Sequence, residues 1–211
     1  MEQKLQRITY ANSFLPESYV FAGGREDKQI PIIFSVFLIT LKDRKILVDA
    51  GCDTMPGFEM RNFRSPVLAL AEKGVQVQEI TDVILTHAHH DHIEAVHYFE
   101  NALIHIEQEA YEKGQKYIPD HFRVNVFRNG YSLCEGIKIL KIGGHSRGSC
   151  VVEVTVDGKE YVLCGDECYV RYNLENRVPT AKHYSLAQSQ FFVERYSDSR
   201  YICLLSHEEE T

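Results

Sequence analysis

No stretch of this 211-residue chain is both long and apolar enough to cross a bilayer. The longest apolar run, Ile30 to Leu41, falls well short of the ~20 residues a spanning helix needs, and it contains Pro31. That run reads as a buried strand, and no membrane association is expected. The opening Met1-Glu2-Gln3-Lys4-Leu5-Gln6-Arg7 lacks the apolar segment of a secretion signal, so the expected location is the cytoplasm. The six cysteines, at 52, 134, 150, 164, 168 and 203, include no Cys-x-x-Cys pair. They read as reduced thiols in or near the core, with Cys164 and Cys168 flanking Asp166 and lining a site without being ligands. Basic clusters are also missing: 23 Lys+Arg stand against 30 Asp+Glu, a net charge of −7, which speaks against nucleic acid as a partner. No internal repeat or low-complexity linker divides the chain, so residues 1–211 read as one domain. The 44% hydrophobic and 25% charged content excludes disordered and fibrous classes. What is present in excess is histidine, ten residues with no tag-like run.

Hydrophobic periodicity and turn chemistry outline the elements. Residues 32–41 and 45–49 read as strands around Lys42-Asp43-Arg44. Ser65-Pro66 opens a short helix that Gly74 closes. Thr81–Thr86 reads as a buried strand, followed by helices at 92–99 and 107–113 around a strand at 102–106. Strands follow at 136–142, 151–156 and 161–164, the last two joined by the hairpin signal Asp157-Gly158. Ser185 caps a helix to about Tyr196, and 201–205 is a final strand. Metal-type residues recur just past strand ends, as in a layered α/β arrangement with its site on one rim.

The strand at 81–86 runs into Thr86-His87-Ala88-His89-His90-Asp91-His92. In an extended turn, residues 87 and 89 project to one side and can grip one ion. As the chain bends into a helix, Asp91 and His92 swing round toward a second. Neutral imidazole and carboxylate oxygen suit Zn²⁺ and other borderline divalent metals.

This His-x-His-x-Asp-His segment resembles the signature of the metallo-β-lactamase superfamily. The resemblance implies a four-layer αββα sandwich, two sheets flanked by helices, and three later ligands that each follow a strand. The sequence supplies His145 in Gly143-Gly144-His145-Ser146, Asp166 in Cys164-Gly165-Asp166, and His207 in Leu205-Ser206-His207. By this resemblance His87, His89 and His145 hold one metal, Asp91, His92 and His207 hold the other, and Asp166 bridges them. Asp49 matches an early strand-end Asp with a supporting role, although Ala50-Gly51 replaces the usual Thr-Gly. The implied cofactors are two divalent ions per chain, Zn²⁺ first, with Fe or Mn as alternatives. Two cations ~3.5–4 Å apart lower the pKa of a shared water toward ~7, giving a hydroxide that attacks a carbonyl. The remaining histidines, 90, 97, 105, 121 and 183, have no motif position.

Within the superfamily the sequence is most similar to the N-acyl homoserine lactonase type. The ligand spacings are 53 residues from His92 to His145, 21 to Asp166 and 41 to His207. Tyr169 stands three residues past the bridging Asp, where those lactonases carry a Tyr that contacts the substrate carbonyl. Asp91 and Tyr169 are thus the candidate catalytic residues, the phenol as a donor to a developing oxyanion. Asp166 replaces the Cys of penicillin-cleaving relatives. Only four residues follow His207, leaving no trailing domain of the glyoxalase thioesterase kind. His90 and Ile93-Glu94-Ala95 depart from the lactonase pattern and bear on substrate shape. Phe14, Phe21, Phe34 and Phe63 are candidates for an apolar acyl pocket. The expected substrate is a lactone or other small ester. A thioesterase, a phosphodiesterase and an iron-dependent sulfur dioxygenase stand as alternatives, and a homodimer is compatible with the sequence.

Overall fold

A computed structural model describes residues 3–208; Met1, Glu2 and Glu209–Thr211, which the sequence reading includes in its domain, lie outside. The first half contains β1 (Lys4–Pro16), α1 (Glu17–Val20), β2 (Gln29–Thr40), β3 (Lys45–Val48), α2 (Pro66–Ala71), β4 (Asp82–Leu85) and α3 (His90–Ile93). Next come β5 (Leu103–Glu107), α4 (Gln108–Gly114), β6 (Arg123–Phe127), β7 (Gly130–Cys134), β8 (Ile137–Lys141) and β9 (Cys150–Val156). The chain continues through β10 (Lys159–Leu163), α5 (Arg171–Glu175), α6 (Leu186–Tyr196) and β11 (Tyr201–Leu204). One sheet has the order β1-β2-β3-β4-β5-β6 and the other β11-β10-β9-β8-β7. Strands β3 to β6 run parallel, which places their carboxyl ends on one rim.

Strand alternation explains the layering. Phe37, Ile39, Ile46, Val48 and Ile84 face Ile137, Ile139, Val152, Val154, Leu163 and Leu204 of the second sheet. Their sequence neighbours Leu38, Leu47, Val83 and Leu85 face the other way, onto Leu70, Ile93, Val96 and Ala110 beneath α2, α3 and α4. Val151, Val162 and Cys203 pack outward onto Phe192, Val193 and Leu174 of α6 and α5. The apolar run in β2 is therefore continuous because both of its faces are covered. Each such side chain buried contributes roughly 1.5–3 kcal/mol. The result is four layers, helix, sheet, sheet, helix.

Four sequence expectations are revised. The helix expected at 92–99 is one α-turn followed by a 3₁₀ segment, because cross-loop bonds replace helical ones: Ala50 N donates to His92 O (2.7 Å) and Ala95 N to Gly51 O (3.0 Å). The expected helix at 107–113 starts one residue later, since the Glu107 carboxylate caps it by accepting from Glu109 N (2.6 Å). Strands β1, β6 and β7 carry polar residues on their less buried sides and were not expected from periodicity. The Ser65 and Ser185 caps form as expected, accepting from Val67 N and Gln188 N. Asp157 and Gly158 both take positive φ (49° and 72°), the backbone of a tight β-hairpin turn. All six cysteines are free, five of them buried. Cys164 and Cys168 pack beneath α5 and α6 and do not line the cleft described below, because their side chains turn to the outer face of the second sheet.

At the rim opposite the histidine motif, the buried Asp82 carboxylate accepts from Arg44 Nε (3.0 Å), Thr81 Oγ1 (2.6 Å) and His105 Nε2 (2.9 Å). Tyr131 closes the chain on His105 Nδ1. His105, unassigned by motif, is thus a structural residue. Burial raises the Asp82 carboxyl, but the His105, Arg44 and Thr81 hydrogen bonds outweigh it and hold it below the usual range. A depressed carboxylate contributes stability that is complete above its unfolded pKa of about 3.9 and fades as pH falls below that. Asp82→Asn should cost about 3 kcal/mol in urea unfolding at neutral pH, with the deficit shrinking below about pH 4. An unchanged midpoint would contradict this reading.

Candidate metal centre

Every motif residue lies just past a strand on one rim. Thr86 to His92 follow β4, His145 follows β8, Asp166 follows β10 and His207 follows β11. Ligand-type atoms of His87, His89, His145 and Asp166 lie within 4.8 Å of one another, as do those of Asp91, His92 and His207. The two groups meet at Asp166. Its Oδ1 is 2.9 Å from His92 Nε2 and 3.0 Å from His207 Nε2, while Oδ2 is 3.5 Å from His87 Nε2 and 3.3 Å from His145 Nε2. Asp91 Oδ2 approaches His92 Nε2 (3.6 Å) and His207 Nε2 (3.9 Å). His89 Nδ1 and His145 Nε2 face each other at 2.9 Å.

The outer contacts orient the rings. His92 Nδ1 donates to Asp49 Oδ2 (2.7 Å), His145 Nδ1 to Lys182 O (2.9 Å) and His207 Nδ1 to Ile33 O (2.9 Å). His87 Nδ1 reaches Thr86 Oγ1 (3.1 Å), whose own proton goes to Asp49 Oδ2 (2.9 Å). Placing the proton on Nδ1 in all four rings leaves each Nε2 with its lone pair aimed at the cluster. Asp49 itself sits at φ 62°, a left-handed conformation that costs energy in a non-glycine residue and concentrates at functional sites. That bend lets Oδ1 also accept from Thr86 N (2.7 Å).

Burial sets the electrostatics. It would raise the Asp166 carboxyl, but the surrounding imidazoles of His92, His87, His207 and His145 hold it well below the usual range. Burial also pushes His87 well down, with neighbouring His92 adding to the effect, and takes His145 to about 4. For His92 and His207 the Asp166 carboxylate overcomes burial and the shift is upward. Among the described residues, the buried Nε2 atoms of His87 and His92 both lie beside Asp166 without making a hydrogen bond. Buried lone pairs left unpaired are costly, and a cation would satisfy them. The donor set therefore fits two divalent ions.

Tyr169 is buried, donates to Asp166 Oδ2 (2.8 Å) and stacks on the His207 ring at 4.8 Å and 18°. Burial and the Asp166 charge raise its phenol well above the ordinary value, so it keeps its proton. The site opens into a cleft of ≈ 280 Å³, floored by His89, Asp91, His145, Asp166 and His207. Leu15, Ile32, Phe34, Pro56 and Phe58 form its apolar wall. Of the four phenylalanines expected there, only Phe34 lines the cleft. Phe63 packs against the core on the outer face of the first sheet, Phe21 packs beside Val170, and Phe14 is half exposed beneath Arg61. His90 does stand at the mouth, with Nε2 2.8 Å from Thr54 O. His97 and His183 are exposed and bond local carbonyls, and His121 packs on Phe122.

Residues 34–201 match the sequence profile of the metallo-β-lactamase superfamily. The chain belongs to this superfamily. As a member with this donor set, it is a metal-dependent hydrolase. Among curated relatives, an N-acyl homoserine lactonase of Bacillus thuringiensis is 26% identical over 207 residues, spanning 85% of this chain and 81% of the relative. Among solved structures, an N-acyl homoserine lactone hydrolase with the product N-hexanoyl-L-homoserine at its catalytic metal centre superposes with a TM-score of 0.82. It is 20% identical and covers 98% of this chain and 94% of its own. A dizinc quorum-quenching lactonase gives 0.77 at 19% identity, covering 98% and 87%. These structures share the superfamily fold, with two mixed sheets between helices.

Further supports behind the ligands were not read from the sequence. Glu167 is fully buried and accepts from Ser149 Oγ (2.5 Å), Gly144 N (3.0 Å) and His145 N (3.2 Å), which ties the His145 loop to the Asp166 turn. Burial pushes its carboxyl up to about 7 against those donors. Gly144 is required here, since a Cβ would strike Glu167 Oε2 and Ser189 Oγ. The clue was a second carboxylate, directly after Asp166, in the otherwise uncharged stretch from Val162 to Cys168. The Lys182 carbonyl on His145 left no sequence signal at all.

Proposed function

We propose that residues 1–211 form one hydrolase domain that opens a lactone or other small ester, N-acyl homoserine lactones among them, at a dinuclear centre. The observation that carries this reading is the Asp166 carboxylate, with one oxygen turned to each set of donors. His87, His89 and His145 would hold one ion, Asp91, His92 and His207 the other, and Asp166 both; Zn²⁺ is the expected metal. Ions held there would activate a water and polarise the substrate carbonyl.

The chain's own residues then do the following. Water oxygen bonds to the acyl carbon, the bond to the leaving oxygen breaks, and the water's protons end on the leaving alcohol and in solvent. Tyr169, which keeps its proton, is placed to donate toward the carbonyl oxygen as negative charge develops. Its stacking on His207 fixes the ring, so the phenol arrives oriented. The wall of Leu15, Ile32, Phe34 and Phe58 shields an acyl chain from water. Asp91, half-buried at the cleft floor, would face a substrate bound there.

The test is a substrate panel of lactones, thioesters, phosphodiesters and β-lactams, run on protein whose metals have been quantified. The expected result is close to two ions per chain and turnover led by a lactone or ester. Preference for a phosphodiester or thioester, or activity that survives complete chelation, would overturn the assignment.

A further inference from the structure

Among the described residues one Lys or Arg, Lys182, lines the cleft, and the backbone that carries it is anchored on both sides. Ala22 N donates to Pro179 O (2.9 Å), and Ala181 N to Val20 O (3.4 Å), which binds the segment before Lys182 to the end of α1. On its other side Tyr184 N donates to Gly144 O (2.8 Å) and Ser185 N to the same carbonyl (3.0 Å). Between these anchors the Lys182 carbonyl accepts from His145 Nδ1 (2.9 Å), while its side chain turns into the cleft with Nζ 4.6 Å from the centre of the Tyr19 ring. Both Lys182 and Tyr19 line the cleft with His145 and Tyr169, and among the described residues no other Lys or Arg does.

The charge balance of the cleft is opposite to that of the chain. The chain carries −7, yet among the described residues the carboxylates lining the cleft are Asp91 and Asp166 alone. Two divalent ions would more than cancel these, and Lys182 adds to the excess. A positive cleft in an acidic molecule selects anions, while the surrounding surface repels them from unproductive encounters.

We propose that Lys182 is a specificity residue that binds a carboxylate carried by the substrate away from the bond being cleaved, so that the preferred substrate is an anionic lactone or ester. This inference rests on the hydrolase reading above and narrows it. The homoserine lactone ring offers this ammonium only neutral oxygen acceptors; a substrate acid offers a full counter-charge. The Tyr19 ring holds the ammonium itself beside the cleft, which lowers the entropy lost when it engages an anion.

The test uses the metal-replete full chain and two lactones that differ only in a distal carboxylate versus its primary amide. Wild type should favour the carboxylate about tenfold in kcat/KM, mainly through KM. Lys182→Met keeps the backbone carbonyl on His145 and should bring the ratio close to one. Lys182→Arg should restore most of it, and raising salt to about 0.5 M should shrink it in wild type. Calorimetric binding of the dicarboxylate product should weaken in Lys182→Met by a similar factor. An equal ratio in wild type and Lys182→Met, with unchanged product binding, would overturn the role of Lys182. Turnover of neither lactone would overturn the hydrolase reading itself, and product binding to the two proteins would still decide whether Lys182 holds the acid.

Discussion

Asp166→Ala should abolish turnover and reduce the metal content from close to two ions per chain to one or fewer. The side chain faces both donor groups, Oδ1 toward His92 and His207, Oδ2 toward His87 and His145. Each ion would lose a ligand, and the four imidazoles would lose the counter-charge they surround. For His92 and His207 that charge is the largest one set against burial, and without it only Asp91, joined by Asp49 for His92, still opposes the interior. The loss in kcat/KM should be about a thousandfold or more, beyond the 10–100-fold typical of removing an outer partner. Metal analysis and steady-state rates on the same preparation check it. A variant that retained two ions and turned over normally would contradict the bridging role.

Removing Asp49 should have the next largest effect. Its two oxygens hold Thr86 N, Thr86 Oγ1 and His92 Nδ1, so Asp49→Ala would leave buried donors unpaired directly behind the ligands. Each costs about 1–3 kcal/mol, and metal affinity should fall 10–100-fold because His92 is no longer held in its tautomer. Alanine also tolerates the φ of 62° poorly. Asp49→Asn separates the two causes, since Asn accepts a left-handed backbone while giving up the charge. Chelator competition should show weakened binding in both variants, and urea unfolding of the metal-free chain should show the larger deficit in Asp49→Ala. Equal affinity in wild type and Asp49→Asn would remove the carboxylate's charge from the explanation.

The parts of the centre closest together in sequence are the most legible. His87, His89, Asp91 and His92 sit within six residues, so local geometry alone suggests two ions. His145, Asp166 and His207 can be placed only through resemblance, because what brings them together is the packing of β8, β10 and β11 against the first sheet. The central strands are legible because burial on both faces makes them continuously apolar. Strands β1, β6 and β7 are not, because one-sided burial allows polar residues such as Gln6, Arg7 and Asn125 to interrupt the pattern. Backbone partners such as Ile33 O and Lys182 O leave no trace, since any residue type supplies a carbonyl. The acyl pocket was misjudged for a related reason: Phe34 and Phe58 reach one cleft only through tertiary packing.

The donors are divided between the two sheets, four following β4 and three following strands of the other. Bound ions would therefore rivet one sheet to the other across the apolar layer of Ile84, Val152 and Leu163. Ligand linkage then ties the cohesion of the sandwich to metal supply. Each tenfold rise in free ion above its dissociation constant adds about 1.4 kcal/mol to the folded state. When metal is scarce, the contacts that still cross between the sheets at that rim include carbonyl bonds, Cys150 N to Thr86 O (2.8 Å), Ile33 N to His207 O (3.0 Å) and His207 Nδ1 to Ile33 O (2.9 Å), so a backbone group that aims an imidazole also keeps the empty rim from splaying open.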